Sequence, residues 1–213
     1  MPALLHLDSS PMGEASISRR LTAEFARHWQ TANPQEKVIY RDATAITIPV
    51  ITAAWVAANY TPKESRTPEQ HSLLALSTEL TSELLEAGEY VIGVPMHNWG
   101  PSSSFKLWID QILRFGDTVA LTSEGPKGML GNKRATFVVA AGRHYGSNCV
   151  DAPRNHLIPW LRTFFGYLGM NDMQFIFADG AAEVRYGKIE RAAFLAPHIQ
   201  AIEALSADRW KRP

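Results

Sequence analysis

The chain has 213 residues, enough for one domain with a sizeable core, and its 46% hydrophobic and 20% charged content is ordinary for a globular protein. Lys plus Arg and Asp plus Glu both total 21, so bulk charge favours neither nucleic acid nor an anionic membrane surface as a partner. No apolar run approaches the roughly 18–20 residues of a membrane-spanning helix, and the N-terminal stretch MPALLHLD lacks the basic start of a signal peptide. A single cysteine, Cys149, allows no internal disulfide and reads as a lone thiol, so a soluble cytoplasmic protein with no nucleic-acid or membrane partner is expected.

Strand-like and helix-like stretches alternate along the chain. Residues 3–8 form a short apolar strand ending in Ser9-Ser10-Pro11. Residues 16–30 then place Ile17, Leu21, Phe25 and Trp29 four apart, on one helix face. Residues 37–42 (KVIYRD) read as a second strand. The segment 43–66 is longer than a crossover needs. Thr67-Pro68-Glu69-Gln70 carries a capping-box pattern with proline at the first helical position. It opens a helix through Leu73, Leu76, Leu80 and Leu84, with Gly88 as its C-terminal stop. Residues 90–94 are the third strand, followed by the turn Pro95-Met96-His97-Asn98-Trp99-Gly100-Pro101. Phe105, Trp108, Ile109, Ile112, Leu113 and Phe115 keep helical spacing after it. A second long segment covers 116–132. Residues 134–141 form the fourth strand, 157–168 a helix, 173–178 the fifth strand, and 188–205 the last helix.

Five near-continuous apolar strands alternating with helices predict an α/β fold: a doubly wound five-stranded parallel sheet with helices on both faces. No composition break divides it, so residues 1–213 read as a single domain with insertions at about 43–66 and 116–132.

In such a sheet ligands bind outside the carboxyl ends of the strands, near the point where strand order reverses. The loop after the first strand offers Ser9, Ser10, Ser16 and Ser18 just before a helix start, where free N–H groups and the helix dipole favour an anion. Arg19 and Arg20 could add charge. The alternative for Ser16 is a plain helix cap. Neither G-x-x-x-x-G-K-[ST] nor G-x-G-x-x-G is present, which argues against an ATPase or a Rossmann-type dehydrogenase. The turn after the third strand is stiffened by Pro95 and Pro101. It offers apolar surface from Met96 and Trp99, and hydrogen bonds from His97 and Asn98. A monophosphate at the first loop and a flat polar ring at the third describe a mononucleotide, and for a flavodoxin-like strand order that ligand is FMN. A packed interface turn is the competing reading. The loop after the fourth strand holds Gly142 and Arg143, where glycine permits a close backbone approach.

With these loops placed, the chain resembles the FMN-dependent NADH-azoreductases, flavoenzymes that also reduce quinones. The resemblance covers nearly the whole chain. It rests on "SS" followed by "SIS", on "PMHNWGPSSSFKLWIDQILRFGDT", on "TSEGPKGMLGNKRA" and on "TFFGYLGM". It implies a flavodoxin-like fold, tightly but non-covalently bound FMN, NADH or NADPH as donor, and a homodimer with the flavin near the subunit interface. It also implies ping-pong two-electron reduction of quinone or azo acceptors. By position, Ser10, Ser16, Ile17 and Ser18 would bind the phosphate. Met96, His97, Asn98 and Trp99 would bind the ribityl chain and ring, with Pro95 shaping the approach and Gly142 and Arg143 on the far side. The chain departs from the family after the fourth strand, with Ala140-Ala141-Gly142-Arg143 in place of S-R-G-G and a longer stretch over 144–154.

No side chain is assigned as an obligatory acid or base, although His97 or His144 could deliver a proton near neutral pH. The remaining histidines lack metal-ligand spacing. Two other classes compete. An electron-carrying flavodoxin would need no long insertions and would tend to be acidic. A serine hydrolase finds only the isolated S-x-x-K of Ser103 to Lys106, with no G-x-S-x-G elbow.

Overall fold

The computed structural model describes residues 3–209. Its sheet is built from five parallel strands: β1 (Ala3–Asp8), β2 (Val38–Asp42), β3 (Ala87–His97), β4 (Arg134–Ala140) and β5 (Asp172–Ala178), in the spatial order β2-β1-β3-β4-β5. The chain first moves outward from β1 to β2, then returns past β1 to lay β3 on its other side. Strand order therefore reverses between β1 and β3, as the expected fold requires.

Side chains alternate across each strand, and the two faces of the sheet carry separate cores. Leu4, Val91, Val138 and Ile176 pack with Leu21, Phe25 and Trp29 of α1 (Ile17–Ala32) and Leu195 and Ile202 of α8 (Arg191–Arg209). Leu5, Ile92, Phe137 and their neighbours face Leu80 and Leu84 of α4 (Ala75–Glu86), Trp108 of α5 (Ser103–Ile112) and Phe165 of α6 (Leu157–Tyr167). Burial on both faces is why β1 and β3 read as near-continuous apolar runs.

The predicted helix over 67–84 is two helices. Thr67 and Gln70 form the expected reciprocal cap at the start of α3 (Pro68–Leu73), with Pro68 in its first turn. Leu74 then breaks the run (φ −93°, ψ 1°) before α4 begins. Its buried side chain belongs to a small separate core with Trp55 and Ala58, contributed by α2 (Ala53–Tyr60). The long segment after β2 thus carries its own helix, and packing against that helix overrides the periodicity. Gly88 is no helix stop: α4 ends at Glu86, Ala87 is already extended, and Gly88 lies within β3. With the chain passing straight from helix to strand, no left-handed cap is needed.

α5 ends at Ile112, short of Phe115, because the following Arg114 turns inward. Its fully buried guanidinium donates from Nη1 to the Ser77 hydroxyl (2.8 Å) and lies 3.2 Å from Asp117. Desolvation draws its pKa below the ordinary arginine value. The second insertion forms an antiparallel hairpin, Val119–Thr122 with Gly125–Gly128. It docks on the end of α6: Leu130 N–H donates to Leu168 O (2.8 Å), and a Cβ on Gly128 would come within 2.0 Å of the Leu168 carbonyl carbon. Backbone cannot yield there as a flexible side chain would. Gly128→Ala should therefore destabilise the protein by about 1–3 kcal/mol or more. Urea unfolding of the two proteins checks this, an unchanged midpoint being the contrary result.

Candidate functional site

At the reversal point β1 stops at Asp8, and side-chain hydroxyls take over where its ladder with β3 ends. Ser9 Oγ donates to Gly93 O of β3 (2.7 Å), and Ser102 Oγ, at the cap of α5, donates to Ser9 O (2.9 Å). Asp8, the last residue of β1, is 3% exposed and accepts from the hydroxyls of Thr22 (2.8 Å) and Tyr40 (3.2 Å). A Cβ at position 93 would sit 2.9 Å from the Asp8 Oδ1, so the strand beside it carries glycine.

The loop from Ser9 to Ser16 climbs over this network. Arg19 was expected to bring charge to an anion here, together with Arg20. Instead Arg19 Nε donates to Ser10 O (2.8 Å), while Nη2 donates to Asp42 (2.8 Å) and Thr44 (2.9 Å). The hydrogen bond to Asp42 raises its pKa, so it stays ionised as a strut behind the loop. Arg20 pairs with Glu24 (2.8 Å) on the outer face of α1.

Of the two roles read for Ser16, the helix cap is the one its contacts display. Its Oγ caps α1 by accepting from Arg19 N–H (3.2 Å), and it lies 3.1 Å from Ser18 Oγ. The other first-turn N–H groups, those of Ile17 and Ser18, have no intrahelical carbonyl to reach. These residues border a cavity of about 510 Å3, within the range of small-molecule sites. Its wall runs along the carboxyl edge of the sheet: Ser10, Ser16, Ile17 and Ser18 after β1, Pro95 and His97 at the end of β3, and Gly142 after β4.

Four predicted residues lie outside that lining. Met96 is partly buried against the main core. Asn98 and Trp99 form the two-residue tip of a hairpin in which Met96 pairs with Pro101 and His97 with Gly100. Both have left-handed backbones (φ 48° and 65°), as a tip turn of this kind demands, and Trp99 is 48% exposed. Arg143 points to Asp151, with Nε 2.7 Å from the carboxylate. His144 likewise stands off the cavity, between Asp179 (3.7 Å) and Glu183 (3.3 Å).

The segment after β5 completes the wall and was not anticipated. Ala181, Ala182, Val184, Arg185, Tyr186 and Arg191 all reach the cavity, from α7 (Ala182–Arg185), its flanks and the start of α8. Backbone bonds hold this segment to the loop after β4: Gly180 N–H to Arg143 O (3.1 Å), Ala181 N–H to Ala141 O (2.9 Å) and Ala182 N–H to Gly142 O (3.0 Å). The available signal was positional, since this too is a loop at the carboxyl end of a strand.

Residues 2–205 match the family model described as flavodoxin-like fold. The chain is 60% identical over 204 residues to FMN-dependent NADH:quinone oxidoreductase 3 of Burkholderia lata, covering 96% of this chain and 99% of that protein. It is 42% identical over 207 residues to FMN-dependent NADH:quinone oxidoreductase of Acidobacterium capsulatum, covering 97% and 100%. This chain belongs to that flavodoxin-like oxidoreductase family. Among solved structures it is similar to an azoreductase from Bacillus anthracis, with a TM-score of 0.84, 20% identity and coverage of 97% and 99% of the two chains. The family assignment agrees with the strand order and with a cavity at the β1/β3 reversal. Ser16→Ala removes the cap of α1 and should cost about 1 kcal/mol of stability, measured as a lower urea midpoint; an unchanged midpoint would deny Ser16 the capping role.

Proposed function

We propose that this protein is an FMN-dependent NADH:quinone oxidoreductase that also reduces azo compounds, by ping-pong two-electron transfer. The observation that carries the proposal is the shape and chemistry of the cavity at the β1/β3 reversal. Hydroxyls and helix N–H groups are gathered at the β1 side, and small or rigid residues line the β3 and β4 sides.

Those features fit FMN. The hydroxyls of Ser10, Ser16 and Ser18 and the N–H groups of Ile17 and Ser18 would hold the phosphate, in the position where the dipole of α1 draws an anion. Pro95, Ala141 and Gly142 give a surface with little side-chain bulk, on which a flat ring can lie. His97 borders the same space, Asn98 and Trp99 follow it at the hairpin tip, and Met96 anchors the base of that hairpin in the core. Bound FMN supplies the redox chemistry, taking a hydride from NADH and returning two electrons to a quinone or azo acceptor. The protein holds and orients the ring and keeps one face open.

The exposed indole of Trp99 and the two insertions support a homodimer in which a second subunit covers the hairpin side of the site. Soluble cytoplasmic placement follows the sequence reading; no helix among the described residues is long and apolar enough to cross a membrane. The names of the relatives favour an enzyme over a bare electron carrier.

Protein loaded with FMN and freed of excess should keep its yellow colour, bleach on anaerobic NADH, and recover when a quinone is added. Failure to retain any flavin would sink the cofactor assignment, and bleaching without recovery would sink the acceptor assignment.

A further inference from the structure

We infer that Arg191 is the charged half of the phosphate site, and that it makes the cavity select a phosphorylated flavin over the bare one. The inference rests on the proposal that the cavity takes FMN. The ionised side chains that line the cavity are Arg185 and Arg191, and no carboxylate lines it. Both cations come from the segment after β5, on the opposite side of the cavity from the strut arginine, Arg19.

The geometry singles out Arg191. It is the first residue of α8, and its Nη2 donates to the carbonyls of Glu14 (2.8 Å) and Ser16 (3.1 Å). It therefore grips the serine loop at the residue that caps α1, beside the N–H groups of Ile17 and Ser18. Only Nη2 is used in those bonds; Nε and Nη1 make no hydrogen bond among the described residues. A guanidinium carries five N–H donors in a planar fork that matches phosphate geometry, so the unused edge can meet a phosphate that the serines hold from the other side. The carboxylates of Glu14 and Glu203 line the outer groove that Arg191 also borders. Neither forms an ion pair with it among the described residues, and the charge is not neutralised locally.

Two consequences distinguish this role from simple loop fastening. A charge that acts on the phosphate strengthens FMN and leaves riboflavin untouched, because riboflavin lacks the phosphate. It also makes FMN affinity fall with added salt. Flavin-free protein is titrated with FMN and with riboflavin by fluorescence quenching at low and high ionic strength, for the unsubstituted chain, R191Q and R191K. For R191Q we expect FMN binding weakened by about tenfold or more, the size of one lost charge-assisted hydrogen bond. Riboflavin should change by less than about twofold, and the salt dependence of FMN binding should become shallower. R191K keeps the charge without the fork and should recover part of the loss; it also carries the test should R191Q not fold. Equal weakening of both flavins, or unchanged FMN binding in R191Q, overturns the inference while leaving the cofactor assignment standing. An unsubstituted chain that binds neither flavin overturns the cofactor assignment, and this inference with it.

Discussion

The hydroxyl of Ser9, donating to the carbonyl of Gly93, holds together the place on which the rest of the site depends. β1 ends there while β3 runs on to His97, so the backbone groups on the facing edges lose their ladder partners inside the protein. Leaving such groups unpaired would be expensive. Ser9 and Ser102 supply the missing partners, and in doing so they fix the loop after β1 against the start of α5. Asp8 sits directly beneath, tied to Thr22 and Tyr40, and its bulk excludes any side chain from position 93. The cavity lies beside these fixed loops, along the carboxyl edge of the sheet.

Charge is distributed around that space with a division of labour. Behind the loop, Arg19 joins the Ser10 carbonyl to Asp42 at the end of β2, and its own charge is answered there. In front, the cations come from the far end of the sheet. An anion in the cavity therefore meets neutral hydroxyls and helix N–H groups on one side and guanidinium groups on the other. No buried arginine has to be released from a carboxylate to receive it.

Much of this was legible in the residues. The five strands and their parallel arrangement followed from apolar runs alternating with helical spacing, and the serine loop and the Pro95 turn were placed at the right ends of the right strands. What escaped had physical reasons. The break at Leu74 is set by Trp55 and Ala58, residues brought near only by folding. Arg19 directly follows Ser18 in sequence, yet its partner Asp42 becomes its neighbour only through the pairing of β1 with β2. The wall after β5 is rich in alanine, which gives no chemical signal; backbone bonds to the loop after β4 put it there. Motif resemblance singled out Asn98 and Trp99 but could not say that they form the tip of a two-residue hairpin, outside the cavity lining.

That tip sets backbone and side chain against each other. A left-handed backbone suits glycine or asparagine, and for a residue as bulky as Trp99 it is strained. A directed-evolution campaign scored on heat resistance alone would find glycine at position 99 an easy gain, since it relieves the strain and removes an exposed indole. The same exchange removes the aromatic surface that the hairpin tip presents to solvent. A library scored on heat resistance alone thus erases whatever the indole does, and that codon should be held fixed or scored separately.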